Sequence, residues 1–514
     1  MSSQVSTECL VIGAGPAGLQ ASYLLQRAGR DHLVLEAGAA AGTFFTRFPR
    51  HRQLISINKV HTGWDDPELN LRVDWNSLLS DDPELLFTGY TPRYFPHADD
   101  MVRYLGDFAV KNDLPVRYDT KVVSVTRPDD FVVRDQHGMT YRAKRIIVAT
   151  GVSKQHVPDI DGVEHAEPYS DVSVDPRDFT GQKVLIIGRG NSAFETADNL
   201  VETASVIHVA GPGSLKLAWQ THFVGHLRAV NNNFLDTYQL KSQNAVLDGH
   251  IAGIRRDGDG YLVEVSFQRV NEVIKEIRYD RVILATGFRF DASIFAADCR
   301  PELTINSRFP HLTSAWESVN VPGLFFAGTI TQSRDFKKST SGFIHGFRYG
   351  VRALHRILEQ RCHGVDWPSR DVAPEAVADA IIERVNRTSA LWQLFAFMAD
   401  AVLIAHDGTA RYVEEVPVAH LHEAVARGEF GDVESYLAVT LEYGADHDKV
   451  NPFDITAGRT SQQDTSGLDG RYLHPVIRRF RAGELVGEHH LTENLENEWD
   501  SEQVHKAPLR AFLR

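Results

Sequence analysis

Cysteine is nearly absent: Cys9, Cys299 and Cys362 are the only three in 514 residues. No two stand at CxxC spacing, and an odd, sparse set builds neither a disulfide framework nor a zinc site. A basic excess is missing too. The chain carries 54 lysines and arginines against 68 aspartates and glutamates, a net charge of −14, which argues against a general nucleic-acid binder. The opening MSSQVSTECLVIGAG has no basic segment or apolar run ahead of its first strand pattern, and PLRAFLR at the end carries no retention or lipidation signal. A cytoplasmic location is the expectation. Residues 390–405, ALWQLFAFMADAVLIA, are the nearest approach to a membrane span, but they are short and interrupted by Gln393 and Asp400. They read as a buried or interface helix, with a membrane or partner contact as the alternative. The 23 histidines are scattered, and His489-His490 and His420-x-His422 lack a third ligand, so no metal is expected.

What is present is glycine in a telling context. Cys9–Ile12 is a short strand pattern, followed at once by Gly13-Ala-Gly15-Pro-Ala17-Gly18, a helical pattern to Arg27, and a second strand at Leu33-Val-Leu-Glu36. This strand–turn–helix–strand unit is the dinucleotide-binding fingerprint. Gly13 allows the tight turn, Gly15 lets the backbone approach a pyrophosphate, and Gly18 lets helix and strand meet closely. Glu36, ending the second strand, is placed to accept ribose hydroxyls. Gly42 and Thr43 follow as further cofactor-side candidates.

A second unit repeats the plan. Lys183–Ile187 is a strand, Gly188-Arg-Gly190-Asn191-Ser192-Ala193 the turn, Phe194–Glu202 a helix and Val206–Ala210 a strand. Here no carboxylate ends the second strand. Its place is taken by Ala-Gly-Pro-Gly-Ser214-Leu-Lys216, which removes a repulsion against a 2′-phosphate and favours NADPH, with NADH possible. Two strand patterns end alike, at Ala-Thr150-Gly151 and Ala-Thr286-Gly287, each at a similar distance after one glycine turn. Pro322–Gly328 then reads as a buried return strand and Gly342 to Glu359 as a long helix. The order implies nested α/β Rossmann-like domains: residues 1–155, an insert at 156–290, a return at 291–360, and a mostly helical extension at 361–514.

Two dinucleotide sites in one chain have one usual chemical reason. A nicotinamide in one domain reduces a flavin held in the other. FAD in the first unit and NAD(P)H in the second are therefore expected, with Gly151, Thr286, Gly287 and Gly328 near the cofactors. The absence of a cysteine pair excludes an internal dithiol relay. Reaction with oxygen or direct hydride delivery to an acceptor remain.

These features resemble the class B flavin-dependent monooxygenase group. Leu54-Ile-Ser-Ile-Asn58-Lys59 is similar to that family's segment with an asparagine and a lysine after the first glycine turn. The resemblance implies that Asn58 lies beside the flavin and helps hold its oxygenated C4a adduct, with Lys59 next to it. A narrower likeness is to FAD-dependent oxidoreductase domain-containing flavoproteins of the endoplasmic reticulum and their bacterial relatives. It rests on Thr46 to Lys59, Asp74-Trp-Asn-Ser-Leu-Leu, Asp100 to Phe108, Gly188 to Thr196, Leu235 to Lys241, Ser341 to Arg348 and Leu473-His-Pro-Val. These stretches span nearly the whole chain. Two departures stand out. The FxGxxxHxxx-aromatic pattern of class B enzymes is not in register around Gly162–Tyr169, where His165 is displaced. The return strand ends Ala327-Gly328-Thr329, whereas disulfide reductases end in Gly-Asp.

Two stretches are candidates for the substrate side. Leu217–Leu247 mixes Trp219, His222, Phe223, His226, Arg228, Asn231, Tyr238 and Lys241, groups that suit a pocket for a small polar molecule; a packed aromatic surface helix is the competing reading. Arg334 to Arg348 opens the helix expected to face the flavin, with Ser341 and His345 as hydrogen-bonding candidates and Arg348 one turn beyond. The expected activity is monooxygenation of an N or S atom of a small molecule, with molecular oxygen as co-substrate. A flavin reductase, or an FAD-containing partner-binding protein using its extension, are the alternatives, and the extension is also a candidate homodimer contact. Residues 361–514 carry −11 of the net −14, so the two-site body is nearly neutral.

Overall fold

The computed structural model describes residues 4–267, 273–461 and 463–514. The body begins with β1 (Gln4–Ile12), α1 (Pro16–Arg27) and β2 (His32–Leu35). It continues with β3 (Val116–Arg117), β4 (Val122–Thr126), β5 (Phe131–Asp135) and β6 (Thr140–Val148). The sheet runs β3-β2-β1-β6-β5-β4. β1 lies parallel between β2 and β6, while β4, β5 and β6 form an antiparallel meander. The inner half of β1 is a run of buried apolar residues, as a strand covered on both faces must be.

The insert repeats this architecture with β7 (Lys183–Ile187), α2 (Asn191–Leu200), β8 (Val206–Gly211), β9 (Ala245–Asp257), β10 (Gly260–Phe267), β11 (Ile274–Tyr279) and β12 (Arg281–Leu284). Its sheet order is β11-β10-β9-β8-β7-β12, with Glu167–Pro168 on the outer edge. The chain leaves and regains the body through a two-stranded neck, where Gln155 pairs with Phe288 and Lys154 with Arg289. The return strand β13 (Leu324–Phe326) then lies parallel to β6, and α3 (Ile344–His363) packs on α1.

The extension departs from the expectation of mostly helix. It holds a six-stranded antiparallel sheet ordered Ser369–Val372, Ala410–Pro417, Met398–Ile404, Ser435–Glu442, His474–Arg481 and Glu484–His490. Helices, including α4 (Val377–Arg387), pack beside it. The apolar run 390–405, expected as one helix, is instead a four-residue turn of helix, Ala390–Gln393, and then the interior strand Met398–Ile404. A strand buried on both faces has no alternation to betray it, and over so short a run a helix reads the same. Asp400, the break in that run, is fully buried and accepts from Arg384 Nε at 3.1 Å, Tyr412 OH at 3.1 Å and Glu415 N at 2.9 Å.

One hydrophobic core runs unbroken from body into extension, from Leu10 and Ile146 through Leu354 to Val402 and Leu437. The insert has two smaller cores of its own, one on each face of its sheet. Among the described residues no helix is long and apolar enough to cross a membrane.

Candidate functional site

The first glycine turn is shaped by contact on two sides and left open on a third. A Cβ on Gly18 would sit 1.8 Å from Gly13 O, and one on Gly13, itself at φ +105°, 2.8 Å from Ala149 O. Only glycine fits either place. Gly15 has nothing within 4 Å of its missing Cβ. It precedes α1, whose N-terminus has no side-chain cap, so free N–H groups and the helix dipole face that space. The return strand closes the turn from behind: a Cβ on Gly328 would lie 2.6 Å from the Ala17 methyl. Gly42 donates its N–H to Ala14 O at 3.0 Å, and Thr43 Oγ1 donates to Ala40 O at 2.9 Å. The Glu36 carboxylate, expected at a ribose, accepts from Ala14 N at 2.7 Å and Gly38 N at 2.8 Å. It thereby ties β2 to the turn and keeps acceptor capacity for further donors. Gly151, next after the first Ala-Thr, sits at φ +62°.

The second turn follows suit. A Cβ on Gly188 would meet Ala285 O at 2.1 Å, whereas Gly190 faces open space. Arg189 is drawn away to Gly213 O, Leu247 O and Asp248, bridging the ends of β8 and β9. Lys216 is exposed in the loop after β8. Thr286 Oγ1 donates to His156 O, and Gly287 O accepts from His156 N at 2.8 Å, so both belong to the neck. Ser192 lies in contact with Tyr169.

Body and insert meet around the segment that leads to Asn58. Asn58 is buried; its Nδ2 donates to Thr91 O at 2.8 Å and Arg93 O at 3.3 Å, while its Oδ1 is buried with no partner. Trp75 N donates to Ile57 O at 3.2 Å, and the Trp75 indole stacks on His345, ring centres 4.4 Å apart and 19° from parallel. His345 opens α3. It is fully enclosed, and neither ring nitrogen has a hydrogen-bond partner in range. Burial, then the charges of Arg348 and Arg228, keep its imidazole well below the usual pKa, with the Trp75 backbone acting weakly the other way. Ser341 Oγ is buried without a partner in range. It faces Asp335, which burial pushes up to about 6 against the restraint of Ser339 and Ser341. Lys59, next to Asn58 in sequence, is exposed.

The insert reaches the same place through its 217–231 loop. Arg228 Nη1 donates to Ile55 O at 2.7 Å, and its guanidinium lies 5.3 Å from the Trp75 ring centre. Phe223 sits edge-on to Phe343 at 5.9 Å. His226 Nδ1 bonds Thr221 Oγ1 at 2.6 Å and its Nε2 is buried unpartnered. Burial, then Lys337 and Lys216, lower its pKa to about 4, so it is neutral at pH 7.

Three expected substrate contacts are engaged elsewhere. Trp219 packs on Phe453 at 5.2 Å, and His222 stacks on Tyr443 at 4.2 Å beside His447. The competing reading, an aromatic packing face, describes these two better, and the surface they cover belongs to the extension. Arg348 is completely buried, its terminal nitrogens donating to Asp74 O, Ser77 O and Leu71 O at 2.7–3.0 Å. It fastens α3 to residues 71–77, and its Nε is buried without a partner in range.

Sequence reading passed over Glu195, Trp75 and Gln393. Tyr169 OH bonds the Glu195 carboxylate of α2 and accepts from Arg50 N at 3.2 Å, joining insert to body beside the ring of Phe48. Burial pushes Glu195 up to about 7. The displaced motif around Tyr169 was the available signal. Trp75 stood in the quoted Asp-Trp-Asn-Ser stretch. Gln393 O accepts from Thr340 Oγ1 at 2.8 Å, one residue before Ser341, and nothing local in the sequence marks it.

The residues present fit FAD at the first turn: a cradle only glycine can form and uncapped helix N–H groups facing open space. The cysteines lie elsewhere. Cys9, within β1, and Cys362, near the C-terminal end of α3, line a small cleft, and Cys299 Sγ donates to Val125 O at 3.2 Å. Cys362 lies 17 residues beyond His345 along α3, a rise of about 25 Å.

A family model described as pyridine nucleotide-disulphide oxidoreductase matches residues 10–328. The mouse (Mus musculus) FAD-dependent oxidoreductase domain-containing protein 2 is 40% identical, over 98% of this chain and 83% of its own. Among solved structures, a flavin-containing monooxygenase from Stenotrophomonas maltophilia covers 70% of this chain and 99% of its own, at TM-score 0.55 and 20% identity. The bacillithiol disulfide reductase of Staphylococcus aureus covers the same shares at TM-score 0.53 and 18% identity. Both likenesses concern the fold. The chain is a flavoprotein of the FAD-dependent oxidoreductase domain-containing protein 2 family.

Proposed function

We propose that the protein is an NAD(P)H-dependent FAD monooxygenase that oxygenates an N or S atom of a small molecule. The observation that carries this reading is the set of buried, unpartnered polar atoms on the body and insert segments that meet at Trp75 and Phe343: Asn58 Oδ1, the His345 ring nitrogens and His226 Nε2. Such atoms are costly unless a ligand satisfies them. They come from body and insert together, the arrangement hydride transfer between two bound cofactors requires.

Bound FAD supplies the two-electron step and the reactivity towards oxygen. The protein's part is holding and shielding. Gly13, Gly15 and Gly18 admit one pyrophosphate and Gly188, Gly190 and Ser192 the other. Asn58 offers an acceptor to an O–H or N–H donor, since both its own protons are taken by backbone carbonyls. His345 and His226, neutral at pH 7, can each accept or donate without adding charge. Trp75, Phe223 and Phe343 keep water out, which strengthens every polar contact inside. The absence of a carboxylate after β8, with Lys216 in that loop, supports NADPH over NADH. One oxygen atom joins the substrate's lone pair and the other leaves as water, the electrons coming from NADPH and one further proton from solvent.

The test uses isotopically labelled oxygen gas with a panel of amines and thioethers. Label in an oxygenated product, one NADPH consumed per product, is the expected result. NADPH oxidation without label, with an acceptor reduced equally well under anaerobic conditions, would establish the reductase alternative instead.

A further inference from the structure

Asn191 was expected to touch the nucleotide, and its side chain is turned to another task. It follows Gly190 directly and is the first residue of α2, yet it makes no cap there. Its Nδ2 donates to His226 O at 2.9 Å and, at 3.4 Å, to Gly225 O. Its Oδ1 accepts from Arg228 N at 3.0 Å and Asn231 Nδ2 at 3.2 Å. Two donors and two acceptors exhaust a primary amide. The assignment of N and O is fixed by the partners, because carbonyls take only the donor end and the Arg228 N–H takes only the acceptor end. Every one of these partners lies in residues 225–231.

That loop is the insert's contact with the flavin side. Arg228, whose backbone N–H Asn191 holds, extends its guanidinium to Ile55 O and over Trp75, and Trp75 stacks on His345. A continuous chain of contacts therefore runs from the second glycine turn to the enclosure containing Asn58 and His345. It contains one side chain, Asn191, that belongs to the turn itself.

We infer that Asn191 is a positioning residue that couples occupancy of the insert's dinucleotide turn to the flavin side. A pyrophosphate bound at Gly190 fixes the backbone from which Asn191 projects. The amide then holds residues 225–231, and with them Arg228, in the place that keeps Trp75 and His345 aligned. This rests on the reading that the insert binds a nicotinamide dinucleotide. Nucleotide affinity and the alignment for hydride transfer are thus set by different atoms of the same turn: backbone N–H groups bind, and the Asn191 amide aligns.

The test is made on FAD-loaded, full-length protein with Asn191→Ala and, at the far end of the chain of contacts, Arg228→Ala. Backbone hydrogen exchange of residues 217–231 is read with and without NADP+, alongside the NADP+ dissociation constant and the rate of flavin reduction at saturating NADPH. In wild type, NADP+ slows exchange in 225–231. In Asn191→Ala, NADP+ binds within about threefold of wild type, the protection disappears, and reduction falls tenfold or more. In Arg228→Ala the protection remains while reduction falls, and the double variant is no slower than the slower single one. Protection that survives in Asn191→Ala overturns the inference. So does a tenfold loss of NADP+ affinity with reduction at saturation unchanged, which would make Asn191 a simple nucleotide ligand. Wild-type protein that binds neither NADP+ nor NAD+ overturns the nicotinamide reading itself, and the inference with it.

Discussion

The insert and the extension are joined to the same body in opposite ways. The extension shares the body's core and is locked to it by buried charge. Arg384 of α4, braced by Asp400 of the same extension at 3.1 Å, reaches Glu68 of the body at 3.0 Å, Arg72 of the body donates to the carbonyls of Thr388 and Val385 at 3.0 Å, and Glu415 of the extension lies buried between Arg352 and Arg356 of α3. Burial pushes Glu415 up, and the two arginines outweigh it and hold its pKa below the ordinary value. The insert keeps its own cores and meets its neighbours through a neck of two short strands and edge contacts: Tyr169, Phe223 and Arg228, the bonds of Arg47 to Ser170 O and Arg50 to Val172 O, and Trp219 and His222 against the extension. A region with a continuous core moves as one piece with its neighbour. A region attached at its edge by polar and aromatic contacts is free to reorient, as delivering hydride from one cofactor to another and then releasing the product nucleotide requires.

The largest expected effect breaks the fused side. Arg384→Ala leaves Asp400 buried without its cation and should cost about 3–5 kcal/mol, read as a lowered urea midpoint with the slope unchanged. A variant as stable as wild type would mean the network is not holding the extension. Next is a matched pair on the two turns. Gly15 and Gly190 both face open space, so alanine at either leaves folding nearly intact. Gly15→Ala should lose FAD affinity at least tenfold, in proportion to about 1.4 kcal/mol or more; Gly190→Ala should keep its FAD and lose NADPH affinity by a similar factor. Equilibrium dialysis of each ligand separates them, and a loss of FAD from Gly190→Ala would deny the division of labour.

A pH experiment sharpens the loose side. The folded-state pKa of Glu195 is raised to about 7 by burial, so between the ordinary carboxylate range and pH 7 the folded protein binds a proton that the unfolded chain has released. Stability from this group is therefore greatest at low pH and falls as pH rises towards 7, by up to about 1.4 kcal/mol per pH unit. Glu195→Gln should remove that slope from the insert's unfolding and should leave the extension's unfolding untouched. Equal pH slopes in wild type and variant would contradict the assignment. The smallest effect is at the surface: Phe453→Ala, which uncovers Trp219, should change stability by less than about 0.5 kcal/mol in thermal unfolding.

The sequence was most legible where geometry admits a single residue type. Gly13, Gly18 and Gly188 could be read because a Cβ would strike backbone atoms within 3 Å, and the order of motifs carried the nested plan. Asn58 was legible as a candidate through resemblance and His345 through its place at the start of the long helix, and Trp75 links the two, its N–H on Ile57 O and its ring on His345. Asn191 was read from its place in the second glycine turn, Arg348 from its spacing to His345 and Trp219 from its place in a polar and aromatic stretch, and position in sequence does not say which way a polar or aromatic side chain turns. Gln393 and the Arg384–Asp400 pair depend on partners that are distant in sequence, except within the extension, and no periodicity reports such contacts. The strand at Met398–Ile404 was read as helix because a fully buried segment has no polar face from which to count a period.

The claim that the two dinucleotide turns serve one hydride transfer is tested most directly by mixing FAD-loaded protein with NADPH without oxygen and following the flavin absorbance. The account predicts complete bleaching, faster with NADPH than with NADH, and return of the colour when oxygen is admitted. A flavin that stays oxidised with both nucleotides would contradict it.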